Sequence, residues 1–293
     1  MYLHAYIGLL AISLLFLPVR STSPVRNSLT LIGNAYNHTP QGTVLWDRGQ
    51  PIGSISWDPT GDTYIAFRGT DSLTDWLSDL DTDLVPFGSG RVSRGFLSVY
   101  QREYHLTDDG SPCVTPILWD LCISAYGAIR RPTQRTSIRR DIRRSVAAAG
   151  RATQEATPQG GATIWVSGHS LGGALATLAA TDILSGDIPS FPIPIRTVLL
   201  AFGSPKVGDS GFVGAFGKVG ATRAYRIHMV DDVVPQIPLP CYRHVPAKVI
   251  GLSQGGDCPL GDCPSEDIHW LHAMERYWEA VGAIEGAVGG PNR

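Results

Sequence analysis

The sequence is short of charge: 17% of its 293 residues are Asp, Glu, Lys or Arg, and the formal net charge is −2. A chain that binds nucleic acid usually carries a basic excess to neutralise phosphates, and this one has none overall. Beyond Leu17 no apolar run is long enough to cross a bilayer. The five cysteines, Cys113, Cys122, Cys241, Cys258 and Cys263, lack the second close pair and the Cys/His spacing of a zinc finger, so no metal site and no cofactor is expected. Internal repeats and linker-like segments are also missing. What remains is a chain that is 43% hydrophobic, sufficient for one large α/β domain with a full core.

The N-terminus stands apart. Tyr6–Leu17 is apolar, Pro18 follows, and Ser21-Thr22-Ser23 supplies small residues for a cut after Ser23. This reads as a secretory signal peptide over residues 1–23, with 24–293 as the mature domain. Secretion to the extracellular space would let some cysteines pair. The connectivity stays open: Cys258 and Cys263 could close a small loop, or one of them could reach Cys241.

The most informative stretch is Ile164–Ala174, I-W-V-S-G-H-S-L-G-G-A. An apolar, β-rich run (Ala162–Val166) enters it and an alanine-rich helical run (Leu171–Leu184) leaves it. Between them lies Gly168-His169-Ser170-Leu171-Gly172. A serine on a very tight strand-to-helix turn has its Oγ pushed outward, and side chains two positions either way would collide, which is why both positions are glycine. The helix then begins under Ser170, so its free N–H groups face any negative charge developing on a substrate.

Around this turn, Val44–Trp46, Ile52–Trp57, Thr63–Phe67, Thr197–Phe202, Arg223–Val230 and Tyr242–Ile250 read as strands. Gly95–Tyr100 starts a helical run, Val85–Gly90 reads as a loop, and Val207–Phe216 as a loop and helix. Leu73, Trp76, Leu77 and Leu80 fall on one face of a short helix at i, i+3, i+4 and i+7. Ile138, Ile142, Val146 and Ala149 mark another. The arginines between Arg130 and Arg151 read as a solvated helix face, with a patch for anionic lipid as the alternative. A last helix is expected over Glu266–Val281, with Ile268, Leu271, Trp278 and Val281 inward. Strand and helix alternate through the middle, so the sheet there should be parallel.

A serine hydroxyl needs a base and a group to orient that base. In folds with this turn the acid follows the serine and the histidine follows the acid. Asp231 and Asp232, at the end of a strand, are the best acids. The histidines available are His228, which reads as core, and His244, His269 and His272.

At this point the chain resembles the class 3 (fungal) lipase family of α/β hydrolases. The resemblance is carried, in order, by Ile65–Thr70 (I-A-F-R-G-T), Asp75–Leu80 (D-W-L-S-D-L), Gly95-Phe96-Leu97, Gly168–Gly173, Gly203–Gly208 (G-S-P-K-V-G) and Asp232–Pro235 (D-V-V-P). It implies an α/β-hydrolase-type, mostly parallel central sheet with helices on both faces, in a single domain with a helical lid. It implies Ser170 as nucleophile, Asp232 as orienting acid and His272 as base, with His269 the runner-up. Thr70 and the Leu171 N–H become the oxyanion donors, and Leu73, Trp76 and Leu77 the apolar face of the lid.

The implied activity is hydrolysis of acylglycerol esters, with triacylglycerol as the expected substrate and transient contact with a lipid–water interface, by a monomer. A feruloyl-type or short-chain soluble esterase is the alternative, and a non-catalytic lipase-like binding protein the second. Two departures from the family stand out: Ser93-Arg94 replaces a common histidine before Gly95-Phe96, and 101–137 is an atypical insertion. That insertion is either a genuine surface feature or a mis-translated stretch of the gene.

Overall fold

The computed structural model describes residues 23–58, 60–70, 72, 80–107, 110–118, 121–124, 129–156, 162–186, 195–219, 223–238, 240–253 and 272–288. The segment 1–22, the residues expected to form the lid (Leu73, Trp76 and Leu77), and His269, Cys258 and Cys263 lie outside them.

Helix α1 (Pro24–Tyr36) begins at Ser23, whose side chain accepts from the Arg26 N–H, with proline in its first turn. Strands β1 (Thr43–Asp47), β2 (Gln50–Trp57) and β3 (Thr63–Phe67) form an antiparallel meander. The hairpin β4 (Leu84–Phe87) and β5 (Gly90–Ser93) leads into α2 (Arg94–Gln101). Strands β6 (Glu103–Thr107), β7 (Cys113–Leu118), β8 (Leu121–Ser124), β9 (Ile129–Arg130) and β10 (Pro132–Ser137) precede α3 (Ile138–Ala156). Then come β11 (Ala162–His169), α4 (Leu171–Leu184), β12 (Ile195–Phe202), α5 (Ser210–Lys218), β13 (Arg223–Met229) and β14 (Lys248–Leu252), and finally α6 (Glu275–Glu279) and α7 (Val281–Val288).

The central sheet has seven strands in the order β1-β2-β3-β11-β12-β13-β14. From β3 to β14 every neighbouring pair is parallel. Each inner strand buries both faces, which is why the runs read as continuously apolar. On one side Ile65, Val166 and Leu199 pack with Phe96 of α2, Ile138, Ile142 and Val146 of α3, Leu175 of α4 and Phe212 of α5. On the other, Tyr64, Trp165, Leu200, Phe202 and Ile227 pack with Leu29 and Ile32 of α1 and with Tyr277 and Ile284 of the C-terminal helices. This is a mostly parallel sheet between two helical layers, of the α/β-hydrolase type. No helix of the described residues is long and apolar enough to cross a membrane.

Some expectations fail for physical reasons. Val85–Gly90 is no loop: Val85 pairs with Val92 and Phe87 with Gly90 across a two-residue turn at Gly88-Ser89, where Gly88 has φ +56°. Positive φ at the first turn position suits a tight hairpin. The strand expected over Tyr242–Ile250 is confined to Lys248–Leu252. The described part of the C-terminal helix is broken at Ala280, and Trp278 is 37% exposed instead of inward.

Within 101–137, β6 pairs with β10, and β7-β8-β9 form a separate small sheet. Cys113 and Cys122 are joined by a disulfide inside it, one of the pairings the open connectivity allowed, and Cys241 is exposed. On α3, Arg139 pairs with Asp182, Arg140 with Glu103 and Arg144 with Asp141, which favours the solvated-face reading.

Candidate active site

Strand β11 ends and α4 begins at Ser170, which has φ +58° and ψ −127°. A non-glycine residue rarely adopts this backbone, and the conformation costs about 1–3 kcal/mol unless its surroundings enforce it. Here they do. The Ser170 N–H donates to the Phe202 carbonyl at 2.9 Å, and the Gly173 N–H donates to the Ser170 carbonyl at 2.9 Å. A Cβ on Gly168 would lie 2.1 Å from the Gly172 oxygen, and one on Gly172 would lie 2.4 Å from the Arg68 oxygen. Both glycines are therefore required by close packing of backbone on backbone.

Ser170, His272 and Thr70 line one cleft of about 320 Å³, together with Tyr36, Met274 and Trp278. His272 Nδ1 lies 2.6 Å from Asp232 Oδ2, with both side chains buried. The carboxylate accepts, so Nδ1 carries the proton and Nε2 presents its lone pair. The other Asp232 oxygen accepts the Val234 N–H at 2.9 Å. Gly203 makes this pairing possible: a Cβ there would be 2.8 Å from His272 Cε1 and 3.1 Å from Asp232 Oδ2. Ser170 Oγ and His272 Nε2 are both buried without a hydrogen bond among the described residues. Each such orphan costs about 1–3 kcal/mol.

The structure thus brings Ser170, Asp232, His272 and Thr70 to one place, with Leu171 opening α4 beside them. His244 is elsewhere, its Nε2–H donating to the Pro235 carbonyl at 2.7 Å. His228 is half-buried in β13, its Nδ1 bonded to the Met229 carbonyl at 3.0 Å. Asp231 takes a different partner, accepting both Arg276 Nη groups at 2.9 and 3.1 Å.

Sequence reasoning took His169, within the Gly168–Gly173 motif, as structural, and missed two further contributors, Tyr36 and Arg276. His169 stacks on His272 with ring centroids 4.6 Å apart, and its Nε2–H donates to the His272 carbonyl at 2.9 Å. Its Nδ1 then accepts from the Tyr36 hydroxyl at 2.7 Å, and that hydroxyl accepts the Gly69 N–H at 2.8 Å. Burial, with a smaller repulsion whenever the His272 ring takes up a second proton, pushes the His169 pKa well below its usual value, so His169 stays neutral. Tyr36 joins the site from α1, whose Val25-Leu29-Ile32-Tyr36 spacing was a readable helical signal. Arg276, four residues after His272, ties the C-terminal turn to the strand end that bears Asp232.

The sequence matches the family model for lipase (class 3) over residues 64–241, which is more than half of the chain. The chain belongs to the class 3 lipase family. Among curated relatives of this lipase-family chain, phospholipase A1-II 1 of Oryza sativa subsp. indica is 32% identical over 232 residues, covering 78% of this chain and 52% of that protein. Phospholipase A1-IIgamma of Arabidopsis thaliana is 26% identical over 268 residues, covering 84% and 51%. The chain spans about half the length of the curated relatives it matches. Among solved structures, the lipase of Rhizopus microsporus var. chinensis is 21% identical with a TM-score of 0.43, covering 75% of this chain and 66% of that one. Lipase II of Rhizopus niveus is 20% identical with a TM-score of 0.45, covering 74% and 70%. Among the described residues no group of three or more His, Cys, Asp or Glu is placed to hold a metal ion.

Proposed function

We propose that this chain hydrolyses carboxylic esters of glycerolipids through an acyl-enzyme on Ser170. The observation that carries the reading is the buried Asp232–His272 pair, which leaves an imidazole lone pair at the floor of the cleft that Ser170 lines. His272 Nε2 takes the Ser170 proton as Oγ attacks the acyl carbon. Asp232 stabilises the imidazolium, and the Leu171 N–H and Thr70 hold the oxyanion. Collapse of the tetrahedral intermediate breaks the bond to the alcohol, which leaves with the His272 proton. Water, deprotonated by His272, then attacks the acyl-enzyme and frees the acid.

The substrate we favour is a glycerophospholipid, because the curated relatives are named phospholipases A1. Triacylglycerol is the expectation from the apolar Leu73, Trp76 and Leu77 stretch. Secretion, following removal of residues 1–23, fits both. The test is a panel of phospholipid vesicles, emulsified triacylglycerol and short soluble esters, each run against the Ser170→Ala variant. We expect hydrolysis of the vesicles to lead and to vanish in the variant. Preference for soluble esters with no gain at an interface would point to the esterase alternative, and no hydrolysis of any ester to a binding protein.

A further inference from the structure

Three cations lie together beside the segment that follows Asp232. Lys206, one of only three lysines in the sequence, donates from Nζ to the Gln236 carbonyl at 2.5 Å, and its backbone N–H donates to the Ile237 carbonyl at 2.8 Å. Arg243 donates from Nη1 to the carbonyls of Pro240 and Tyr242 at 2.8 and 2.9 Å. Arg226, half-buried in β13, lines a small crevice of about 10 Å³ with Ser204 and His244, room for one oxygen-sized atom. Its Nε is buried and without a hydrogen-bond partner among the described residues. The hydrogen-bond acceptors of the Lys206 and Arg243 side chains are backbone carbonyls, and among the described residues none of the three cations pairs with a carboxylate.

Several arginines elsewhere on the surface are compensated. Arg26, Arg91, Arg94, Arg102, Arg135 and Arg139 each have an acidic partner. In a chain of net charge −2, leaving three cations uncompensated at one spot sets up a local positive potential. The groups feel one another: the Lys206 pKa is pushed down first by partial desolvation and then by Arg243 and Arg226. His244, faced by Arg226, Lys206 and His228, is held down to about 4, first by burial, and so adds no charge at neutral pH. Lys206 follows the end of β12, whose Phe202 carbonyl holds the Ser170 N–H, so the cluster sits at the same end of the sheet as the cleft.

We propose that Lys206, Arg226 and Arg243 form an anion site that takes the phosphate group of phospholipids at a membrane surface, docking the cleft end of the molecule onto it. Lys206 and Arg243 supply the accessible charge, and the half-buried Arg226 adds to their field from β13. The proposal extends the lipid-ester reading of this face, and its test does not depend on catalysis.

The test measures association of the full chain with vesicles, carried out in a Ser170→Ala background so that loss of the hydrolase reading leaves the result untouched. Vesicles of phosphatidylcholine with a minor fraction of phosphatidylglycerol are compared with and without the paired changes Lys206→Gln and Arg243→Gln. These two sites are partly or fully exposed, so folding is checked by thermal melting alone. Loss of two surface cations should weaken association by about 25-fold, and Arg226→Gln should weaken it further. The paired changes Arg140→Gln and Arg144→Gln, on α3, should leave it within about twofold. Unchanged association in the Lys206/Arg243 variant overturns the proposal, as does an equal loss in the Arg140/Arg144 variant. Inorganic phosphate provides the other arm: if it raises the melting temperature only when Lys206 and Arg243 are present while vesicle association is unaffected, the lipid source is overturned in favour of free phosphate.

Discussion

At His272 three separate contacts fix one ring: Asp232 on Nδ1, the stacked His169 ring on its face, and His169 Nε2–H on its carbonyl. The first sets the tautomer, and the other two set the position of the turn. In kinetic terms, His272→Ala should lower kcat by about 10⁴-fold or more, whereas His244→Ala, whose ring is bonded to Pro235, should stay within about tenfold in a soluble-ester assay. Tyr36 is subtler. Its hydroxyl links His169 to the Gly69 N–H, and Gly69 is so close to Ser170 that a Cβ there would lie 2.7 Å from Ser170 Cβ. Tyr36→Phe removes one hydroxyl and leaves two polar partners unpaired, at about 1–3 kcal/mol each. We expect kcat to fall by about tenfold to a hundredfold with KM nearly unchanged. A change in KM alone would mean that Tyr36 only lines the cleft.

At the scale of elements, the turn between β11 and α4 was legible because its demands are local: two glycines, a strand before and small residues after. The hairpin β4–β5 was not, because Phe87-Gly88-Ser89-Gly90 carries the same residues as a flexible loop, and only the Val85–Val92 pairing distinguishes the two. The C-terminal helix was misread because Trp278 fits an inward period while the chain breaks at Ala280, which turns the indole toward the cleft. His272 was separable from His244 by resemblance; the structure adds the contact with Asp232 that no spacing reveals. Gly203 belongs to this scale too, since it joins β12 to the Asp–His pair with φ +52°. Gly203→Ala meets both a backbone that L side chains rarely adopt and a 2.8 Å contact with His272 Cε1. It should lower the melting temperature and reduce kcat by at least about a hundredfold. Wild-type kcat in a destabilised protein would show that the base is not where the close contact puts it.

For the whole molecule, two cores on either side of one sheet hold the cleft between α1, α4 and the C-terminal turn. Stability should respond to acid through histidines buried as neutral rings. An unfolded imidazole gains its proton near 6.5, whereas His244 is held down to about 4 and His169 well below its usual value, each mainly by burial. Between those pH values the unfolded chain holds more protons than the folded one. Stability is therefore full above about pH 6.5 and is lost as pH falls toward 4. Melting followed from pH 7.5 to 4.5 should show this decline, and His244→Gln should flatten it; an equal slope in the variant would remove His244 from the account.

The most direct measurement is labelling of the intact chain by a fluorophosphonate, with the modified peptide mapped by mass spectrometry. The account predicts one adduct, on Ser170, formed rapidly in the wild type and at a negligible rate in His272→Ala. An adduct on another serine, no adduct at all, or labelling of His272→Ala at the wild-type rate would contradict it.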